Sequence, residues 1–175
     1  MASTEKDASP YDAILLKNIA EHLINNRVTV AVAESITAGS LQLAFSQAEG
    51  ATLFFQGGIT AYQGAHKSRL LEVEPIYGAE NEYVNPIVAQ QMAEAACTLF
   101  LSHYAIGITG FAVPLPGDAN QHPYAFYAFA KEGRQVRSGR IETDQKPIAT
   151  VQKEFAKSLL TLFLQLLEEE SSGNL

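Results

Sequence analysis

The period of apolar and polar positions changes repeatedly along this chain. In "YDAILLKNIAEHLINN", Ile14, Leu15, Ile19, Leu23 and Ile24 recur at helical spacing, which predicts an amphipathic helix. "RVTVAVAE" is apolar on both faces, the pattern of a central parallel strand. "TAGSLQLAFSQAEG" returns to a helical pattern and closes near Gly50. "LFFQGGITAY" predicts a strand interrupted by Gly57-Gly58, and "AHKSRLLEV" a short helix. In "VNPIVAQQMAEAACTLFLSH", Asn85 is a natural N-cap and Pro86 suits the first helical position. "YAIGITG" is a further strand, followed by the Pro/Gly loop "FAVPLPGDANQHP". "YAFYAFA" and "QVRSGRIE", joined through "KEGR", form a hairpin, and "PIATVQKEFAKSLLTLFLQLLEEE" is the last helix.

Helices and strands alternate early and a hairpin comes late. That order predicts an α/β fold, a three-layer α/β/α sandwich with a mixed, mostly parallel sheet. No repeat or linker interrupts residues 11–170, so one domain is expected there, with residues 1–10 and 171–175 as flexible tails.

Composition narrows the function classes. The 175 residues are 47% hydrophobic and 18% charged, the balance of a chain that builds a core. A formal net charge of −7 argues against nucleic-acid binding by general electrostatics. No apolar run is long enough to span a membrane, and "MASTEKDASP" lacks the apolar centre of a signal peptide, so a cytoplasmic protein is expected. The lone Cys97 lies in an apolar helical stretch and reads as a buried thiol. No H-x-x-H or C-x-x-C spacing occurs, so neither a metal nor another cofactor is expected.

The candidate chemistry gathers where strands end. Glu34-Ser35 closes the strand at 27–34, and Ile36-Thr37-Ala38-Gly39 opens the following helix. In open α/β sheets ligands collect at the carboxyl ends of parallel strands, and a helix N-terminus offers free N–H groups to an anion. The Ser35 or Thr37 hydroxyl therefore either helps to hold a phosphate or carboxylate, or simply caps the helix. A second strand stops at Thr109-Gly110 and enters the long Pro/Gly loop. Between the two, Tyr62 and Lys67 flank a turn into the short helix; a lysine near a serine serves as general base when burial lowers its pKa. A pocket built from residues 34–39, 60–67 and 109–114 is the expectation.

These residues resemble a family. "TVAVAESITAGSLQLAFSQAEGATLFFQGGITAYQGAHKSRLLEV" is similar to the signature half of the CinA C-terminal family, the nicotinamide-nucleotide amidases, with its A-E-S-C-T-G-G, G-S-S and Y-x-x-x-x-K. "VNPIVAQQMAEAA", "YAIGITGFAVP" and "HPYAFYAFA" resemble its later motifs in the right order, so the likeness covers nearly the whole chain. The resemblance implies a homo-oligomer that hydrolyses the carboxamide of nicotinamide mononucleotide to nicotinate mononucleotide and ammonia, without a metal. Carried over residue by residue, it implies Ser35, Lys67 and Tyr62 as catalytic, with Ser35 attacking, Lys67 accepting its proton and Tyr62 orienting Lys67 or sharing the proton path. Glu34, Thr37, Gly39, Thr52, Thr109 and Gly110 are the implied substrate contacts. Thr52, at the G-S-S position, is the competing nucleophile. The oxyanion would be held by N–H groups opening the 37–47 helix or at Gly110. This chain departs from the pattern at Ile36, Ala38, Val113 and in "LPGDANQH". Those departures keep a second reading open: a non-catalytic relative that binds a nucleotide or another phosphorylated metabolite.

Overall fold

The computed structural model describes residues 10–114 and 122–173. The elements run α1 (Ala13–Asn25), β1 (Val30–Glu34), α2 (Ser40–Ser46), α3 (Ala51–Phe54), β2 (Phe55–Thr60), α4 (Gly64–Leu71), α5 (Pro75–Glu80), α6 (Pro86–Phe100), β3 (Tyr104–Phe111), β4 (Tyr124–Lys131), β5 (Arg134–Glu142) and α7 (Ile148–Ser171). The five strands form one sheet in the order β2-β1-β3-β4-β5. β1 pairs in parallel with β2 and β3, while β4 is antiparallel to β3 and to β5, so only β4 runs against the other four. The expected mixed α/β/α sandwich is the observed one.

The two sheet faces are built differently. Val30, Val32, Ile106, Ile108, Tyr127 and Phe129 point to one side, where they pack with Leu16 and Leu23 of α1, Phe45 of α2, and Phe155 and Phe163 of α7. The other side carries Ala33, Ala105, Ala128 and Ala130, under Ala89, Met92, Ala93 and Ala96 of α6. Small residues there let α6 lie close: a Cβ on Gly107 would stand 2.4 Å from the Ala89 carbonyl oxygen. Large side chains therefore fill the thicker layer, and backbone proximity fills the thinner one.

Four details depart from the sequence reading. β2 is not interrupted at Gly57-Gly58; it runs through both, with a register shift that opposes Val30 to Phe55 and Ala31 to Gly57. The bulge absorbs the positive φ of 121° at Gly57, and a Cβ on Gly58 would meet Val32 and Gln42. The expected 37–50 helix is shortened to α2, with turns on either side, and the short α3 takes 51–54, including the first two residues of the expected strand. α5, which the sequence reading omitted, starts at Pro75 with Glu74 as its N-cap. α7 continues to Ser171, one residue into the expected C-terminal tail; of the two expected tails, residues 1–9 and 174–175 lie outside the described residues.

Candidate active site

Because β1, β2 and β3 run the same way, their carboxyl ends meet on one side of the sheet. A cleft of about 240 Å³ opens there, lined by Ser35, Ile36, Tyr62, Lys67, Glu82, Val84, Gly110, Phe111, Ala112, Val113 and Ile148. All three segments expected to form the pocket contribute to it. A larger depression of about 330 Å³ between α1 and α3 has Lys17, Glu21 and Glu49 on its rim but no buried titratable group, so chemistry rather than volume marks the site.

Lys67 is the most unusual group in the cleft. It sits on α4, whose other inward residue is Leu71, and is only 3% exposed. Its Nζ donates to the Thr109 hydroxyl at 3.2 Å and to the Tyr83 carbonyl at 3.5 Å. Thr109, fully buried, donates its own hydroxyl hydrogen bond to the same Tyr83 carbonyl at 2.7 Å. Burial lowers the Lys67 pKa from 10.5 to about 8, because the charged form loses its hydration. Among the described residues no carboxylate forms an ion pair with it.

Ser35 is 5% exposed and lies just past β1, where its N–H donates to the Ile108 carbonyl of β3 at 3.1 Å. That bond fastens the turn to the neighbouring strand end. Ser35 and Lys67 thus face one cleft from different elements.

Glu34 corrects the expectation of an anion site. Its carboxylate is fully buried and accepts from the N–H groups of Gly39 at 3.1 Å, Leu41 at 3.1 Å and Gln42 at 2.9 Å. The chain's own acid occupies the donors that were expected to bind phosphate or the oxyanion. Neither hydroxyl caps the helix: the N-cap is Gly39, at φ 99°, without a side-chain cap bond. Thr37, fully buried, has no hydrogen-bond partner for its hydroxyl among the described residues and is not part of the cleft wall.

Other expectations are also redistributed. Tyr62 lines the cleft but is 59% exposed; Lys67 is oriented by Thr109 and Tyr83 instead. Thr109 is fully buried, supports Lys67 and is not part of the cleft wall. Gly110 does form cleft wall, yet packing alone requires a glycine there, since a Cβ would stand 2.4 Å from the Tyr124 carbonyl oxygen. Thr52 lies in α3, before β2 begins, and is exposed. β2 is parallel to β1, so Thr52 sits toward the amino ends of the strands, away from the cleft. The departing loop at 115–121 lies outside the described residues. Sequence reasoning missed Glu82, Tyr83 and Val84; only their place just before the Asn85 cap marked them. Among the described residues no group of three or more His, Cys, Asp or Glu side chains gathers to hold a metal ion.

A model of the CinA C-terminal domain matches residues 12–167. The chain belongs to the CinA C-terminal domain family. A Streptococcus pneumoniae protein of strain ATCC 700669, provisionally named a competence-damage inducible protein, is 33% identical over 138 residues. The match covers 76% of this chain and 33% of that protein, so the chain spans about a third of the length of such curated relatives. Among solved structures, a CinA superfamily protein from Enterobacter cloacae superposes with a TM-score of 0.81 at 23% identity, covering 95% of this chain and 98% of that one. An Escherichia coli CinA superfamily protein gives 0.79 at 24% identity, over 95% and 99%. Those two likenesses establish the CinA fold. No helix among the described residues is long and apolar enough to cross a membrane.

Proposed function

We propose that this chain, as one CinA C-terminal-like domain over residues 11–170, is a serine amidohydrolase acting on the carboxamide of nicotinamide mononucleotide. The observation that carries this reading is the buried Lys67, without a carboxylate partner among the described residues, in the cleft that Ser35 also lines. A neutral lysine amine has two N–H donors and one lone pair. The Thr109 hydroxyl and the Tyr83 carbonyl take the two donors, which leaves the lone pair for a proton from Ser35. With a pKa of about 8, an appreciable fraction of Lys67 is free base near neutral pH.

Ser35 Oγ attacks the carboxamide carbon while its proton passes to Lys67. The tetrahedral intermediate collapses, the C–N bond breaks, and Lys67 returns that proton to the departing ammonia. Water, deprotonated by the same amine, then attacks the seryl ester; the C–O bond to Ser35 breaks, Lys67 returns the proton to Ser35 Oγ, and nicotinate mononucleotide leaves. The amide group following Ser35, at Ile36, is not used by the α2 cap and belongs to a residue of the cleft wall, so it is the donor offered to the developing oxyanion. At about 240 Å³ the cleft falls below the roughly 300–1,000 Å³ of pockets for drug-sized ligands. It suits the carboxamide end of the substrate and leaves the ribose and phosphate at the mouth, beside Tyr62 and Val113.

Ammonia release from nicotinamide mononucleotide tests the reading. Wild type releases ammonia; Ser35→Ala abolishes release, and Lys67→Met lowers kcat by about 10²–10⁴. Thr52→Ala retains activity if Ser35 is the nucleophile and loses it if Thr52 is. Calorimetric binding of the nucleotide with no ammonia from wild type assigns the chain instead to non-catalytic, ligand-binding members.

A further inference from the structure

We propose that Tyr83 is the positioning residue of this site: its side chain plugs the space between α4 and α5 and so fixes the carbonyl that holds Lys67 and Thr109. The inference rests on the amidohydrolase reading for its catalytic consequence, though not for its geometry.

Glu82 and Tyr83 are consecutive residues with φ of 53° and 56°. Side-chain-bearing residues rarely adopt the left-handed region, and two in succession persist only where the surroundings hold them. Tyr83 supplies the hold. Its ring lies against Gly64 of α4 and Gly78 of α5, where an added Cβ would stand 2.3 and 2.4 Å from ring carbons. Its hydroxyl donates to the Pro75 carbonyl at 3.2 Å and accepts from the Ser68 hydroxyl at 3.2 Å. Its backbone N–H donates to the Gly78 carbonyl at 2.7 Å. Two glycines thus make the slot and two hydrogen bonds lock the tip.

The locked residue presents its carbonyl to both partners of the amine. That oxygen accepts from Lys67 and from Thr109, and Thr109 can accept from Lys67 only because its own proton is committed there. The ring also lies 5.9 Å from the Lys67 Nζ and keeps water from that side. A cation–π contact favours the ammonium, but exclusion of water opposes it, and burial is the cause that sets the lowered pKa. Removing the ring therefore admits water and returns Lys67 toward its ordinary value.

The test is a Lys67 Cε NMR titration in Tyr83→Ala, Tyr83→Phe and Gly78→Ala, assigned by loss of the signal in Lys67→Met, with kcat and KM alongside. The wild-type midpoint is expected near 8. In Tyr83→Ala, and in Gly78→Ala, whose new methyl displaces the ring from outside the cleft, the midpoint rises by about one unit, and kcat at pH 8 falls roughly fivefold with KM within twofold. Tyr83→Phe keeps the ring and shifts by less than half as much. Gly64→Ala combined with Tyr83→Ala refills part of the vacated space; it regains thermal stability but not the low midpoint, which separates positioning from packing. An unchanged midpoint in folded Tyr83→Ala or Gly78→Ala overturns the proposal. If the midpoints move as expected but wild type releases no ammonia, the positioning stands and the amidase reading falls.

Discussion

At Lys67, burial acts on both reactivity and stability. The amine works as a base only when neutral, so kcat for ammonia release should rise with pH, reach half its plateau near pH 8 and level off above it. A rate flat from pH 6 to 10, with chemistry limiting, removes Lys67 from the base role. The same pKa makes a separate prediction about folding. Below about pH 8 both folded and unfolded chains hold the proton, and the cost of burying the charge is fully felt. Between about 8 and 10.5 the unfolded chain holds a proton that the folded one lacks, so stability rises with pH across that window. The rise totals about 3 kcal/mol for a shift of this size. Denaturant melts of wild type and Lys67→Met, compared at pH 7 and 10, should show that difference shrink; a gap independent of pH would mean that Lys67 is not buried as an amine.

The β1–turn–α2 unit shows how an element accommodates an acid. Three N–H groups at the start of α2 turn toward the fully buried Glu34, which satisfies all of them from the last position of β1. Glu34→Gln keeps the shape but turns an NH₂ group toward backbone donors. The expected loss is about 3 kcal/mol, a fall in Tm of roughly 6–12 °C for a chain of this size. Thermal melts decide it, and an unchanged Tm would show that the carboxylate is not the cap. In Glu34→Ala the helix N-terminus is vacated, so added inorganic phosphate should raise Tm more than it does in wild type.

For the molecule as a whole, the sheet leaves β2 and β5 as edges, and apolar side chains such as Leu53 and Leu101 stand exposed near one end. Together with the homo-oligomer implied by the family resemblance, this leads us to expect a symmetric assembly in solution. Multi-angle light scattering should give a multiple of the 19.0 kDa chain mass; monomer mass maintained from micromolar to millimolar concentration would refute it.

Local pattern was enough to determine much of this protein. The doubly apolar run at 27–34 specified a central strand, Asn85-Pro86 the start of α6, and the late hairpin the antiparallel side of the sheet, because each depends on residues adjacent in the chain. The strand-end argument located the cleft, since parallel strands must bring their carboxyl ends together. Tertiary structure decided the roles inside it. Whether the helix N-terminus is open depended on where the Glu34 carboxylate points, and three backbone donors answered that only once the turn was folded. Thr52 reads as a site residue by motif, but the direction of β2 carries it to the opposite side of the sheet. Tyr83 has no signature at all: its importance comes from two glycines, 19 and 5 positions earlier, that leave room for its ring. Burial, which turns an ordinary lysine into a candidate base, is a property of how α4, β3 and the 82–84 segment pack together, and no local pattern encodes it.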